Sequence, residues 1–212
     1  MFIKVSELED GVRMWFNCAL KLLYVNTMPA LPGSPEMLME PAYWEAKLAL
    51  DIVIHERPRW AEAYYHRGVA FAALTEGVWV SPLTGRALQD FGTALSLDPN
   101  FAEAYQARAA LYSQQRPQRA IADLGSLITI QPTVDTYLKR ASLLRWQGEY
   151  AAAVADYREA LRRYISYCGV VERQQVEGYM DRVSLELQNG NLQGVLNSLV
   201  MFWEQHSFMS YQ

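Results

Sequence analysis

The sequence predicts an all-α protein, a right-handed superhelical stack of about five helix-turn-helix units. Three observations predict it. Ala-Glu-Ala-Tyr at 61–64 returns unchanged at 102–105. A second set then recurs at constant spacing: Ala87, Phe91, Ala94 and Pro99 come back 33 positions later as Ala120, Leu124, Leu127 and Pro132, and 33 later again as Ala153, Tyr157 and Ala160. Finally, a small residue follows an aromatic one by a helical turn in each copy, as Tyr64 with Gly68, Tyr105 with Ala109 and Tyr137 with Ala141. Residues four apart lie one above the other on a helix, so the small one lets a second helix approach while the aromatic fills the wider gap. Repetition at this period means short units, none able to bury its apolar face alone, stacked to share a core.

The units follow in order. In the first, 5–60, Trp15, Ala19 and Leu22 have first-helix spacing, and Ala46, Leu50 and Val53 with Pro58 have second-helix spacing. The second, 61–100, and third, 101–133, carry the repeated tetrapeptide. The fourth, 134–167, contains WQGEYAAAVADYREAL, which supplies a turn at Gly148 and a second helix. In the fifth, 176–206, Tyr179, Val183, Gly190, Val195, Leu199 and Phe202 keep the template with larger residues in the small slots. One domain covering 1–212 is expected.

These residues resemble the tetratricopeptide repeat, a helix-turn-helix unit of about 34 residues. The match is close in the three central units and weaker in the outer two. The resemblance implies a non-catalytic protein-protein interaction module that holds a peptide or helix of a partner in a concave groove lined by first helices. Carried over slot by slot, the groove residues are Tyr65, His66 and Val69, then Gln106, Ala110 and Ser113, then Leu138, Lys139, Ser142 and Arg145; Phe16 and Leu20 extend the lining upstream. Members that capture a chaperone's terminal carboxylate use a basic cluster there. The corresponding slots hold Tyr65, Val69, Ala107 and Asp135, with Lys139 the one basic residue, too little charge to offset a carboxylate's desolvation.

Two turns inside units are lengthened, by NTMPALPGSPEMLMEP (26–41) and EGVWVSPLTG (76–85). Their prolines and glycines argue against helix. Trp79 and the methionines among them form either a self-packed cluster or a contact surface. At the other end, Leu196, Val200 and Trp203 are expected to face outward unless the tail HSFMSYQ covers them or another molecule does. The alternative function is therefore an assembly subunit that self-associates as a homodimer or docks through the inserts and this end.

Composition bounds the rest. The 212 residues are 51% hydrophobic, which supports a packed core, and a net charge of -4 offers no cationic field for nucleic acid or an anionic membrane. Cys18 and Cys168 lack metal or redox spacing and are expected reduced and packed. The opening MFIKVSELED turns acidic before any signal-length apolar core, and no run approaches the roughly 18 apolar residues of a spanning helix, so a cytoplasmic location is expected. No HExxH, GxSxG, glycine-rich phosphate loop or CxxC occurs, hence no enzyme, metal or cofactor is expected. Glu62, Glu103, Asp135 and Glu177 occupy one equivalent slot, read as first-turn carboxylates that complement helix dipoles. Trp15, Tyr105 and Trp146 fall on core spacing.

Overall fold

The computed structural model describes residues 5–24, 39–75 and 81–206. Among them the elements are ten helices and no strand: α1 (Val5–Tyr24), α2 (Met39–Glu56), α3 (Ala61–Ala73), α4 (Pro82–Leu97), α5 (Ala102–Gln115), α6 (Pro117–Ile130), α7 (Val134–Trp146), α8 (Tyr150–Ile165), α9 (Val170–Gln188) and α10 (Leu192–His206). They alternate as first and second helices of the repeat. The chain divides into two compact units, 1–114 and 115–212, with the division at the end of α5.

In the first unit the repeat's small slots set the helix spacing. Ala19 on α1 and Ala46 on α2 are fully buried, joined by Val12 and Leu23 on one side and Ala49, Leu50 and Val53 on the other. Trp15, placed by its spacing in this core, is instead partly exposed, because the buried series is 12, 19, 23 and Trp15 lies off that line. The next pair closes around Phe91, whose ring fills the space left by Gly68 and packs with Phe71 and Ala87. Ala94 and Leu95 then meet Ala104, with Tyr64, Tyr65, Phe101 and Tyr105 around them.

The second unit has one continuous core. Ala141 and Leu144 of α7, Ala153, Val154, Tyr157, Ala160 and Leu161 of α8, Val176 and Val183 of α9, and the apolar face of α10 all belong to it. Here the expectation for the C-terminal end is corrected. Leu196 is 1% and Trp203 8% exposed, and Val200 packs against the same core. Helix α10 carries apolar residues on two sides, so it closes on α8 as well as on α9. Trp203 meets Tyr164 edge-on at 5.5 Å, and Phe202 stacks on Tyr179 at 4.9 Å. Trp146 departs from its core spacing too: at the last turn of α7 it is 83% exposed.

Helix boundaries follow local chemistry. Ser81 caps α4, its Oγ accepting the Leu83 amide, and Thr133 caps α7 by accepting the Thr136 amide. Gly148 (φ 80°) and Gly190 (φ 75°) take the left-handed conformation that ends α7 and α9. The lengthened turns are shorter than their composition suggested. Pro82 opens α4 and Met39 to Pro41 open α2, since proline costs nothing in a first turn where its missing N–H has no helical partner. Trp79, the rest of both inserts and the tail lie outside the described residues. Similarly α9 starts at Val170, with the Gly169 amide donating to Glu172, so Glu177 is mid-helix rather than in a first turn.

An ion pair recurs in both units. The Arg67 guanidinium, on α3, donates twice to Asp90 of α4 at 2.8 and 2.7 Å and once to Asp51 of α2 at 2.8 Å. Arg140 on α7 donates twice to Asp156 of α8, at 2.7 and 2.6 Å. Asp90 and Asp156 are buried. Bidentate geometry of this kind fixes orientation as well as charge, and hydrogen bonding to the buried carboxylates raises both arginines above their ordinary range.

Candidate functional site

The first helices of the first unit bring together the most elaborate surface group among the described residues. Phe16, Leu20 and Tyr24 follow one another at four-residue spacing on α1, a single helix face. Opposite stand Trp60, just before α3, and Tyr65 and His66 on it. Phe16 stacks on Trp60 at 4.3 Å and meets His66 edge-on at 5.5 Å. Tyr24 and Tyr65 flank the same imidazole at 5.7 and 4.9 Å, and Tyr65 reaches Phe101 at 4.9 Å.

Hydrogen bonds order the cluster. The Tyr24 hydroxyl lies 3.0 Å from His66 Nδ1, and the Tyr24 and Tyr65 hydroxyls are bonded to each other. A relay in which Tyr65 donates to Tyr24 leaves the Tyr24 proton for Nδ1 and places the imidazole proton on Nε2. Burial pushes His66 down to about 4. Burial, with Tyr24 and Glu103 close by, pushes Tyr65 up to about 12. At neutral pH the cluster is uncharged and still able to exchange hydrogen bonds.

Beside it, on the other side of Trp60, a cleft of about 490 Å³ is lined by Val12, Pro58 and Trp60 and edged by Glu9, Arg13, Glu56, Arg57 and Arg59. Arg57 is tied to Glu9 at 3.0 Å.

The remaining groove residues take varied roles. Val69 is half-buried against the Phe71 and Phe91 cluster. Gln106 and Ala110 on α5 are exposed, whereas Ser113 donates to the Ala110 carbonyl of its own helix. In the second unit Leu138 packs on the core, Ser142 donates to the Leu138 carbonyl, and exposed Lys139 is paired with Asp135 at 2.6 Å. Arg145 is half-buried and hydrogen-bonded to Tyr157. Sequence reasoning passed over Tyr24, Trp60 and Phe101. The signal for Tyr24 was present, since it continues the Phe16 and Leu20 series by one more turn.

Cys168 is buried, but Cys18 is exposed, contrary to the expectation that both are packed; both are free thiols. Among the described residues no three His, Cys, Asp or Glu side chains gather as a metal site, and no helix is long and apolar enough to cross a membrane.

No protein-family model matches the chain. Over 120 residues, 56% of the chain, it is 28% identical to human tetratricopeptide repeat protein 13, and the match spans 14% of that protein. In fold it is similar to a solved MamA double mutant, with a TM-score of 0.61 at 14% identity over 96% of this chain and 98% of that one. It is similar also to MamA residues 41 to the end from Desulfovibrio magneticus, with a TM-score of 0.60 at 14% identity over 95% and 98%. The repeat is of tetratricopeptide type. The resemblance carried by Tyr64, Gly68 and their successors thus extends to the helical pairs themselves. Within the first unit α1, α3 and α5 are the first helices of their repeats.

Proposed function

We propose that the chain is a non-catalytic tetratricopeptide scaffold that binds a peptide or a helix of a partner protein on its first-helix faces. The observation that carries this reading is the ring cluster of Phe16, Tyr24, Trp60, Tyr65 and His66, a set of partly buried, uncharged aromatics held by helices that are already packed. Tyrosine and tryptophan are the side chains that most often supply the binding energy of protein interfaces. A preordered scaffold leaves the ordering cost to the ligand alone. An apolar ligand side chain would stack on Trp60 or Tyr24, and its backbone or a polar neighbour would take up the hydroxyl and imidazole groups. Gln106, Ala110 and Ser113 of the first unit belong to the same reading, and in the second unit, taken by itself, Leu138, Lys139, Ser142 and Arg145 are the corresponding first-helix candidates.

Tyr65 and Leu138 are built into cores, so truncating them confounds binding with folding. Exposed positions make the cleaner test. Ala110→Arg and Tyr24→Ala, each in otherwise unchanged protein, should retain helical circular dichroism and lose the proteins that the wild type retains in affinity purification. Identical retention by both variants would reject the first-helix face.

A further inference from the structure

We infer that the cleft beside Trp60 takes a side-chain carboxylate of the partner, so that the peptide held by this scaffold is acidic, with an Asp or Glu about two residues from its apolar anchor. The inference rests on the reading above and adds the chemistry of the ligand.

The cleft lies where α1 passes the turn between α2 and α3. Its volume of about 490 Å³ falls within the range of pockets that enclose most of a small ligand. Val12, which is buried, forms an apolar floor with Pro58 and Trp60. Trp60 is fixed by its stack on Phe16 at 4.3 Å, so the floor continues into the ring cluster. Val12 and Phe16 are four residues apart on α1, a rise of about 6 Å. An extended peptide covers that distance in about two residues, which sets the spacing between anchor and acid.

The rim decides the charge. Among the described residues that line the cleft, five are ionised: Glu9, Arg13, Glu56, Arg57 and Arg59. Arg57 donates to Glu9 at 3.0 Å, which cancels one charge of each sign. Arg13, Arg59 and Glu56 form no side-chain ion pair among the described residues. Two unpaired guanidiniums against one unpaired carboxylate leave a single positive charge, in a chain whose net charge is -4. Arg13 stands on α1 and Arg59 in the turn before Trp60, so each of the two segments that form the cleft contributes one. Guanidinium holds a carboxylate through two parallel N–H donors, and two of them over an apolar floor supply what a lone lysine in the groove does not. One carboxylate neutralises the lining. A phosphate, with close to two charges, overfills it and faces Glu56, whereas Glu56 can accept a backbone N–H of an extended peptide. Nucleic acid is disfavoured by the same count, because its affinity comes from neutralising many phosphates.

The test uses the full chain and dye-labelled nine-residue peptides read by fluorescence anisotropy. Each peptide carries one Leu or Phe and, one to four residues away on either side, Asp, Asn, Lys or phosphoserine. Asp two residues from the apolar side chain should bind about tenfold tighter than Asn in the same place, with an advantage that shrinks as salt is raised. Arg13→Gln combined with Arg59→Gln should keep helical circular dichroism, since both positions are exposed, and should bind the Asp and Asn peptides equally. Arg173→Gln, exposed on α9, should retain the preference, and Tyr24→Ala should weaken both peptides by the same factor. An Asp peptide bound no tighter than Asn overturns the proposal, as does a preference that survives both glutamines or phosphoserine bound more tightly than Asp. If that happens while Tyr24→Ala and Ala110→Arg still release the proteins retained by the wild type, the first-helix reading stands and the acidic ligand alone is rejected.

Discussion

A methyl group on Gly68 would stand 2.7 Å from Cε1 and 2.9 Å from Cδ1 of Phe91, a ring that is itself 1% exposed and has nowhere to retreat. Gly68→Ala should therefore lower stability by about 1–3 kcal/mol, the usual cost of overfilling a close-packed site, read as a shift in the denaturation midpoint. Phe91→Leu added to it should recover part of the loss, because the next copy carries alanine and leucine, Ala109 and Leu124, in these slots. His66 allows a second test at this scale. Its native pKa of about 4 lies below the ordinary 6.5 because of burial. Between those values the unfolded chain binds a proton that the native imidazole refuses, so stability falls as pH drops from 6.5 toward 4. His66→Asn should flatten that part of the stability profile relative to wild type. The same imidazole should titrate near 4 by NMR, and a midpoint near 6.5 would contradict its enclosure by Phe16, Tyr24 and Tyr65.

Among the helices, a slot five residues after the small position of each second helix proves informative. It holds Asp51, Gly92, Gly125 and Arg158. Asp51 accepts from Arg67, whereas Gly92 and Gly125 leave space beside the guanidinium groups of Arg108 and Arg140, whose Nη1 atoms are 3.7 and 3.5 Å from where a Cβ would stand. Gly125→Asp should accordingly raise stability by about 1 kcal/mol, combining the removal of a mid-helix glycine with a carboxylate next to Arg140, and raise the melting temperature by about 2–4 °C. An unchanged or lower melting temperature would show that Arg140 cannot turn from Asp156. The 33-residue period made these helices legible, because Ala87, Ala120 and Ala153 are chosen by the closeness of the partner helix. The openings of α2 and α4 were less so: proline was read as excluding helix, when Pro41 and Pro82 sit in first turns where that objection lapses. In α1 the slots at Ala19 and Leu22 were legible and lie in or against the core, but that copy lacks the tetrapeptide and Trp15 was a misleading guide to the rest of the buried line.

For the whole chain, the repeat says that each pair leans on the next and says nothing of where compactness breaks. The division into two units at the end of α5 falls inside the third repeat, whose letters run on without interruption. Periodicity reports local contacts, whereas compactness sums many of them. The candidate site was half legible for a related reason. Tyr65, His66 and Val69 came from their slot on α3, but Tyr24 and Trp60 belong to a copy and a turn that depart from the template. The exposed end was misplaced by the same logic: larger residues in α10 were read as leftovers, yet Leu196 and Trp203 are what closes the second unit.

Arg67 with Asp90, and Arg140 with Asp156, occupy the same two slots one and three residues from the small positions that let their helices touch. A duplicated segment that carries the spacing also carries its own latch. Lengthening such a chain by copying a block of this size adds a pair of helices already fastened to each other, which is how an array can grow without each new member having to wait for a neighbour to hold it shut.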